Sequence, residues 1–172
     1  MTPKRVLLAV DSANLYCNAC QNGERLDYRA LLDYAARLGQ VVQAGLYAVR
    51  ARDGQDRDFL LKAKGLGFSR IVARPARQRP DGKHRSDIDT VIAMDVWQAV
   101  LASEVDAVVL ASGDSDFVPL VERITERGMP VWIVGPNGST AWELVVAATQ
   151  FVDAKDVPGL LAAAPARRDE AR

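Results

Sequence analysis

Histidine occurs once and cysteine twice among 172 residues. A structural zinc site takes about four nitrogen or sulfur ligands, so zinc chemistry has too few donors here. Cys17 and Cys20 form a C-x-x-C, but no redox-motif strand leads into it. They read as two small apolar residues at i and i+3 of one helix face, buried as free cysteine commonly is. No apolar run nears the roughly twenty residues of a membrane-spanning helix. The opening "MTPKRVLLAVDSAN" is basic and then apolar, yet Asp11 ends the run and no cleavage context follows. It reads as a first strand, not a signal peptide, and the cytoplasm is the expected compartment. An excess of charge of one sign is also missing: 22 Lys and Arg balance 22 Asp and Glu. Any case for a nucleic-acid partner must therefore rest on local clusters. Nor is there a glycine-rich phosphate cradle, since "GPNGST" at 135–140 is turn-like.

What is present is an ordinary globular composition, 49% hydrophobic and 26% charged, in a chain long enough for one well-cored domain. Apolar runs at 5–10, 41–49, 70–75, 106–111 and 130–135 predict five strands. Helical patterns at 27–39, 56–68, 86–101, 116–127 and 139–151 alternate with them. That alternation predicts an α/β fold: a mainly parallel central sheet with helices on both faces, a three-layer α/β/α sandwich. The domain is expected over 1–158. The remainder, 159–172, is Ala-rich and then charged, and reads as a short, partly disordered tail. Trp97 and Trp142 suit either a core or, if exposed, a homodimer surface.

In a parallel α/β sheet, ligands bind beyond the carboxyl ends of the strands. Asp11 ends the first strand, and Asp114 and Asp116 follow the fourth in "ASGDSDFVPLV". The helix from 86 opens at the same rim with Asp87 and Asp89 in its first turn, and Asp95 falls on its apolar stripe. Each acid alone has a structural explanation. Asp11 and Asp116 are candidate N-caps, Ser86 with Asp89 resembles a capping box, and Asp95 could answer a buried arginine. Several carboxylates at one rim repel one another unless something cationic sits among them, either a basic side chain or a divalent metal. Carboxylate oxygens are natural ligands for a hard cation, and metals held this way commonly meet phosphate. The segment 70–85, "RIVARPARQRPDGKHR", carries six Lys and Arg against the single Asp81. It feeds straight into the acidic rim, as a polyanion backbone would require, although a solvated loop has the same composition.

These stretches resemble a known family. "VDSANLY", "SDIDTVIAMD" and "LASGDSDFVPLVERITERGMPVWIVG" look like the NYN domain, in its LabA-like branch, within the PIN-like nuclease superfamily. The resemblance implies a PIN-like, Rossmann-like fold and Mg²⁺- or Mn²⁺-dependent RNA cleavage by an aspartate cluster. Carried over by motif, the catalytic and metal-holding residues are Asp11, Asp89, Asp114 and Asp116. Asn14, Ser112, Asp87 and Asp95 support them. Asp89 is chosen over Asp87 because its six-residue gap to Asp95 matches the family. Two departures stand out. Ser86 occupies the place of a lysine in the middle motif, and Thr149 stands near the place of a late acid. If that acid binds metal in relatives, one ligand is missing here and activity would be weaker. Arg77, Arg79, Lys83 and Arg85 are the expected RNA-backbone contacts.

Three functions compete at this point. The first is a metal-dependent (endo)ribonuclease. The second is a non-catalytic RNA-binding or regulatory module of the same fold. The third is a small-molecule phosphatase, which is disfavoured because a phosphoaspartate mechanism wants a second acid where Ala13 stands.

Overall fold

The computed structural model describes residues 3–50, 57–78, 84–85 and 87–164. The chain begins with β1 (Arg5–Asp11), α1 (Ser12–Gln21), a short β2 (Glu24–Leu26), α2 (Tyr28–Leu38) and β3 (Gln40–Arg50). Next come α3 (Arg57–Leu66), β4 (Arg70–Pro75) and a two-rung ribbon of β5 (Arg77–Gln78) and β6 (His84–Arg85). The second half holds α4 (Ile88–Leu101), β7 (Ala107–Ala111), a 3-10 turn (Ser115–Phe117) and α5 (Val118–Glu126). It finishes with β8 (Val131–Gly135), α6 (Trp142–Ala147), β9 (Gln150–Asp153) and β10 (Leu161–Ala163).

Six strands form one parallel sheet in the order β4-β3-β1-β7-β8-β9. β1 and β7 lie at its centre, and their continuous apolar runs are explained by burial on both faces. One core cluster joins Leu8, Val10 and Val109 to Leu15 of α1, Leu31 of α2 and Ala63 of α3. The other joins Leu7, Val108 and Leu110 to Ile92 of α4, Phe117, Val121 of α5 and Leu144 of α6. The expected three-layer α/β/α sandwich is therefore the observed fold.

The strand order carries the functional consequence. From β1 the chain moves outward through β3 to β4; from β7 it moves the opposite way through β8 to β9. The reversal falls between β1 and β7, the crevice where open α/β sheets bind ligands.

The sequence reading needs correction in several places. The helix expected at 139–151 covers only Trp142–Ala147. Ala148 turns extended at ψ 153°, and Thr149 exchanges two hydrogen bonds with Val131: its N–H to the carbonyl at 2.9 Å, and the Val131 N–H to its Oγ1 at 3.0 Å. Pairing with β8 overrides local helix propensity and creates a sixth strand, β9. The helix expected from 116 begins at Val118, after the 3-10 turn. β10 pairs antiparallel with β2 inside the stretch expected as tail, and fully buried Leu160 anchors it; residues 165–172 lie outside the described ones. Cys17 and Cys20 are both exposed, because α1 buries the stripe Ser12, Leu15 and Ala19 instead. Trp142 is exposed, while Trp97 is half-buried with the Arg127 guanidinium 5.8 Å from its ring centroid.

One clamp fixes the central register at the amino end of the sheet. Asp106 accepts from the Arg5 backbone N–H at 2.9 Å and from its guanidinium at 3.0 and 2.7 Å. In return, the Asp106 N–H donates to the Arg5 carbonyl at 2.8 Å. Arg5 holds the Asp106 carboxyl down at about 2. A depressed folded pKa stabilises the fold above the unfolded value of about 3.9, and that contribution is lost as pH falls through the folded one. Asp106→Asn is expected to lower Tm at pH 7. The gap to the parent should close between about pH 4 and pH 2 in thermal melts across that range.

Candidate active site

The register from Val6↔Ala107 to Val10↔Ala111 sets the ends of β1 and β7 side by side. Asp11 therefore emerges beside Ser112. It is 2% exposed and, among the described residues, is buried and polar together with Ser12 and Ser112. Its Oδ2 accepts from the Ser112 hydroxyl at 2.9 Å, and its Oδ1 accepts from the Asn14 N–H at 3.2 Å, which also caps α1. Ser112 Oγ in turn accepts from the Asp114 N–H at 3.2 Å, and Asn14 Oδ1 accepts from the Gly113 N–H at 3.0 Å. Asp114 Oδ1 accepts from the Asp116 N–H at 3.0 Å and so caps the 3-10 turn. The β1 and β7 loops are thus cross-laced around a single carboxylate.

Burial raises the Asp11 pKa first of all. The hydrogen bonds from Asn14 and Ser112 pull it back, and the neighbouring Asp114 charge raises it further. Among the described residues, no cation acts on Asp11, and neither Asp11 nor Asp114 has a basic side-chain partner.

The other candidates are placed unevenly. Asp114 is half-exposed and Asp116 exposed. Asp87 is the N-cap residue of α4 but makes no side-chain cap bond. Asp89 is half-exposed in the first turn. Ile88, between them, shares a core cluster with Phe117 of the 3-10 turn, which brings this end of α4 toward Asp116. Ser86, the proposed partner of Asp89 in a capping box, lies outside the described residues. Asp95 belongs elsewhere. It accepts from the Tyr47 hydroxyl at 2.9 Å and from Arg70 Nη2 at 3.0 Å. An arginine partner is the structural alternative for Asp95, and Arg70 fills that place, although its side chain is 46% exposed and not buried. The Tyr47 ring fills the space over Gly45, toward the amino end of β3 and away from the acidic rim.

Among the described residues, no three His, Cys, Asp or Glu side chains converge closely enough to hold a metal ion. The donors present suit a hard cation in kind: buried Asp11 and neighbouring Asp114, both oxygen ligands without a counter-cation. Asp116 and Asp89 stand around this pair without closing a set. Of the expected RNA contacts, Arg77 and Arg85 occupy paired positions of the β5–β6 ribbon. Arg79 and Lys83 lie outside the described residues. Thr149 sits beside Val131 at the amino end of β8, at the opposite end of the sheet from Asp11. An acid in its place would not join the Asp11 rim.

Sequence reasoning missed the loop that walls the site. The Ala141 N–H donates to the Gly113 carbonyl at 3.0 Å, and Asn18 Nδ2 of α1 donates to Ser139 Oγ at 2.8 Å. Thr140 presses against Gly113 and Gly135, so that a Cβ on Gly113 would lie 2.8 Å from Thr140 Oγ1. Gly113 is therefore required for close approach, and it is not among the glycines of positive φ. The i, i+4 spacing of Asn14 and Asn18 was the available signal.

The comparisons with known proteins agree with this architecture. The NYN domain family model matches residues 5–160. The "Low amplitude and bright protein LabA" of Synechococcus elongatus is 26% identical over 163 residues, covering 90% of this chain and 86% of that protein. A crystal structure of a protein of unknown function from Vibrio parahaemolyticus superposes with a TM-score of 0.80 at 31% identity, covering 93% of this chain and 97% of that one.

A raised carboxyl pKa inverts the usual acid linkage. The contribution of Asp11 is fully present below the unfolded value of about 3.9 and is lost as pH rises through the folded pKa. At neutral pH the buried charge is a liability. Asp11→Asn, which keeps an oxygen to cap α1, is expected to raise Tm at pH 7 in EDTA. That advantage should vanish below about pH 4.

Proposed function

The chain belongs to the NYN domain family, within the PIN-like nuclease superfamily, and from that premise we propose that it is a metal-dependent ribonuclease acting at the β1–β7 crevice. The observation that carries this reading is the buried Asp11. It stands at the topological switch point with Asp114 beside it and, among the described residues, no cation acting on it. A carboxylate kept there without a counter-charge is explained by a ligand that supplies one.

Asp11 and Asp114, with Asp116 and Asp89 from the surrounding turns, would hold a Mg²⁺ or Mn²⁺ ion. When bound, such an ion supplies Lewis-acid stabilisation of phosphoryl charge and makes water acidic enough to serve as the nucleophile. The chain's own residues do the positioning. Ser112 and Asn14 orient Asp11 through the bonds already described. Asn14 also ties α1 to the Gly113 backbone, so the two acid-bearing loops cannot drift apart. Arg77, Arg79, Lys83 and Arg85 supply positive charge for an RNA backbone. No membrane-spanning helix competes with this reading, since no helix among the described residues is long and apolar enough to cross a bilayer.

One observation favours the second reading, a non-catalytic RNA-binding or regulatory module: no set of three ligands is assembled among the described residues. Cleavage of single-stranded RNA in Mn²⁺, Mg²⁺ or EDTA separates the two. The nuclease reading expects metal-dependent products that fall about 10²-fold or more in Asp114→Asn, with the fold intact by circular dichroism. Binding that persists without metal and never yields products would establish the module instead. Asn14→Ala is expected to cost about 10- to 100-fold in activity, as supporting residues around metal sites do, and to raise the metal concentration needed for half-maximal rate.

A further inference from the structure

α3 places Arg57, Leu60, Leu61 and Lys64 at i, i+3, i+4 and i+7, the spacing of a single helix face. Such a stripe normally enters the core, yet Ala63, just outside it, is the residue α3 buries, and Leu61 is 57% exposed. The stripe instead faces β4 across an open groove of about 550 Å³, completed by Arg50 and Ile71. Among the described residues, its lining holds Arg50, Arg57 and Lys64 and no acidic side chain.

Its position relative to the acids follows from the sheet register. Tyr47 pairs with Asp11, and Arg50 stands three residues further along β3. At about 3.3 Å per residue this carries Arg50 roughly 10 Å beyond the rim. The groove runs along β4, two strands from β1, which is roughly 10 Å sideways at strand spacing. The β5–β6 ribbon continues from the carboxyl end of β4 at the same edge of the sheet. The groove lies on the α3 face of the sheet and α4, with Asp89, on the other, so a strand reaching both would pass over the carboxyl end of β4.

We propose that the α3–β4 groove is a second contact site for single-stranded RNA, an inference that rests on the RNA reading above. It would hold the strand on the way to the scissile phosphate, with backbone on Arg57 and Lys64 and bases against Leu60, Leu61 and Ile71. Charge complementarity selects the occupant: a cationic rim over an apolar floor matches a polyanion with flat apolar faces. An acidic polypeptide shares the charge but lacks those faces.

The test uses the full chain carrying Asp114→Asn, in Mg²⁺, so that the RNA survives. Fluorescence anisotropy follows binding of labelled oligouridylates, a 4-mer and a 15-mer, over a range of salt. Adding Arg57→Gln and Lys64→Gln, both at exposed positions, is expected to weaken the 15-mer roughly tenfold and leave the 4-mer unchanged. The slope of log affinity against log salt should flatten by about 1.4, about 0.7 for each lost phosphate contact. Leu61→Asn should weaken the 15-mer about threefold at every salt concentration with no change of slope. A 15-mer bound as tightly by the double variant overturns the groove and leaves the nuclease reading standing. A parent that binds neither oligomer overturns the groove, and the cleavage assay with Asp114 intact then decides the nuclease reading separately. Polyglutamate bound more tightly than the 15-mer, and lost in the same variant, overturns the proposal in favour of an acidic polypeptide.

Discussion

A carboxylate at the end of a central parallel strand is a costly group, because sheet and helices strip it of water on nearly every side. Most of the architecture around Asp11 can be understood as keeping that group charged and in place. The pairing of β1 with β7 decides which loop it meets, and the Arg5–Asp106 clamp anchors that pairing at the far end of the sheet. Ser112, the first residue after β7, gives Asp11 a hydroxyl, and the N–H at the first turn of α1 gives it a second donor. A one-residue slip between the strands would turn Ser112 to the opposite face and leave the acid unsolvated. The register is therefore a functional parameter as much as a stabilising one.

The loop at 136–141 adds a second constraint. It reaches the site only because Gly113 and Gly135 lack side chains where Thr140 presses in. Its backbone then seals onto the Gly113 carbonyl, and Ser139 links it to α1. Three segments distant in sequence are held together by a handful of polar bonds over a close backbone contact. Such an assembly is rigid where backbone meets backbone. It is adaptable where Asp114, Asp116 and Asp89 project, because those side chains retain access to solvent.

Much of this was legible in the residues, for reasons that differ by element. β1, β7 and β8 were readable because doubly buried strands are continuous apolar runs. Asp11 and Asp114 were placed on one rim because parallel strands share a direction. The order of the strands was not legible, so their meeting at the switch point could not be read from spacing. β9 was hidden because "AATQF" suits a helix until Val131 offers it a partner. The same blindness to tertiary pairing put Thr149 at the wrong end of the sheet. Asp95 was correctly given a structural alternative, but its partners Tyr47 and Arg70 lie 48 and 25 residues away. The exposed cysteines show the limit of composition: burial follows the helix face, and Leu15 and Ala19 had already claimed it.

The central place of β1 has a consequence for how the chain comes to be folded. β1 is made before its neighbours β3 and β7, which begin at residues 40 and 107. Until β7 is made, this apolar strand has one bare edge. Nascent chains of this kind are most prone to association during that interval. Asp11 ends the strand there, a charge at the tip of an otherwise sticky ribbon. The same carboxylate that burdens the finished fold can guard the unfinished one.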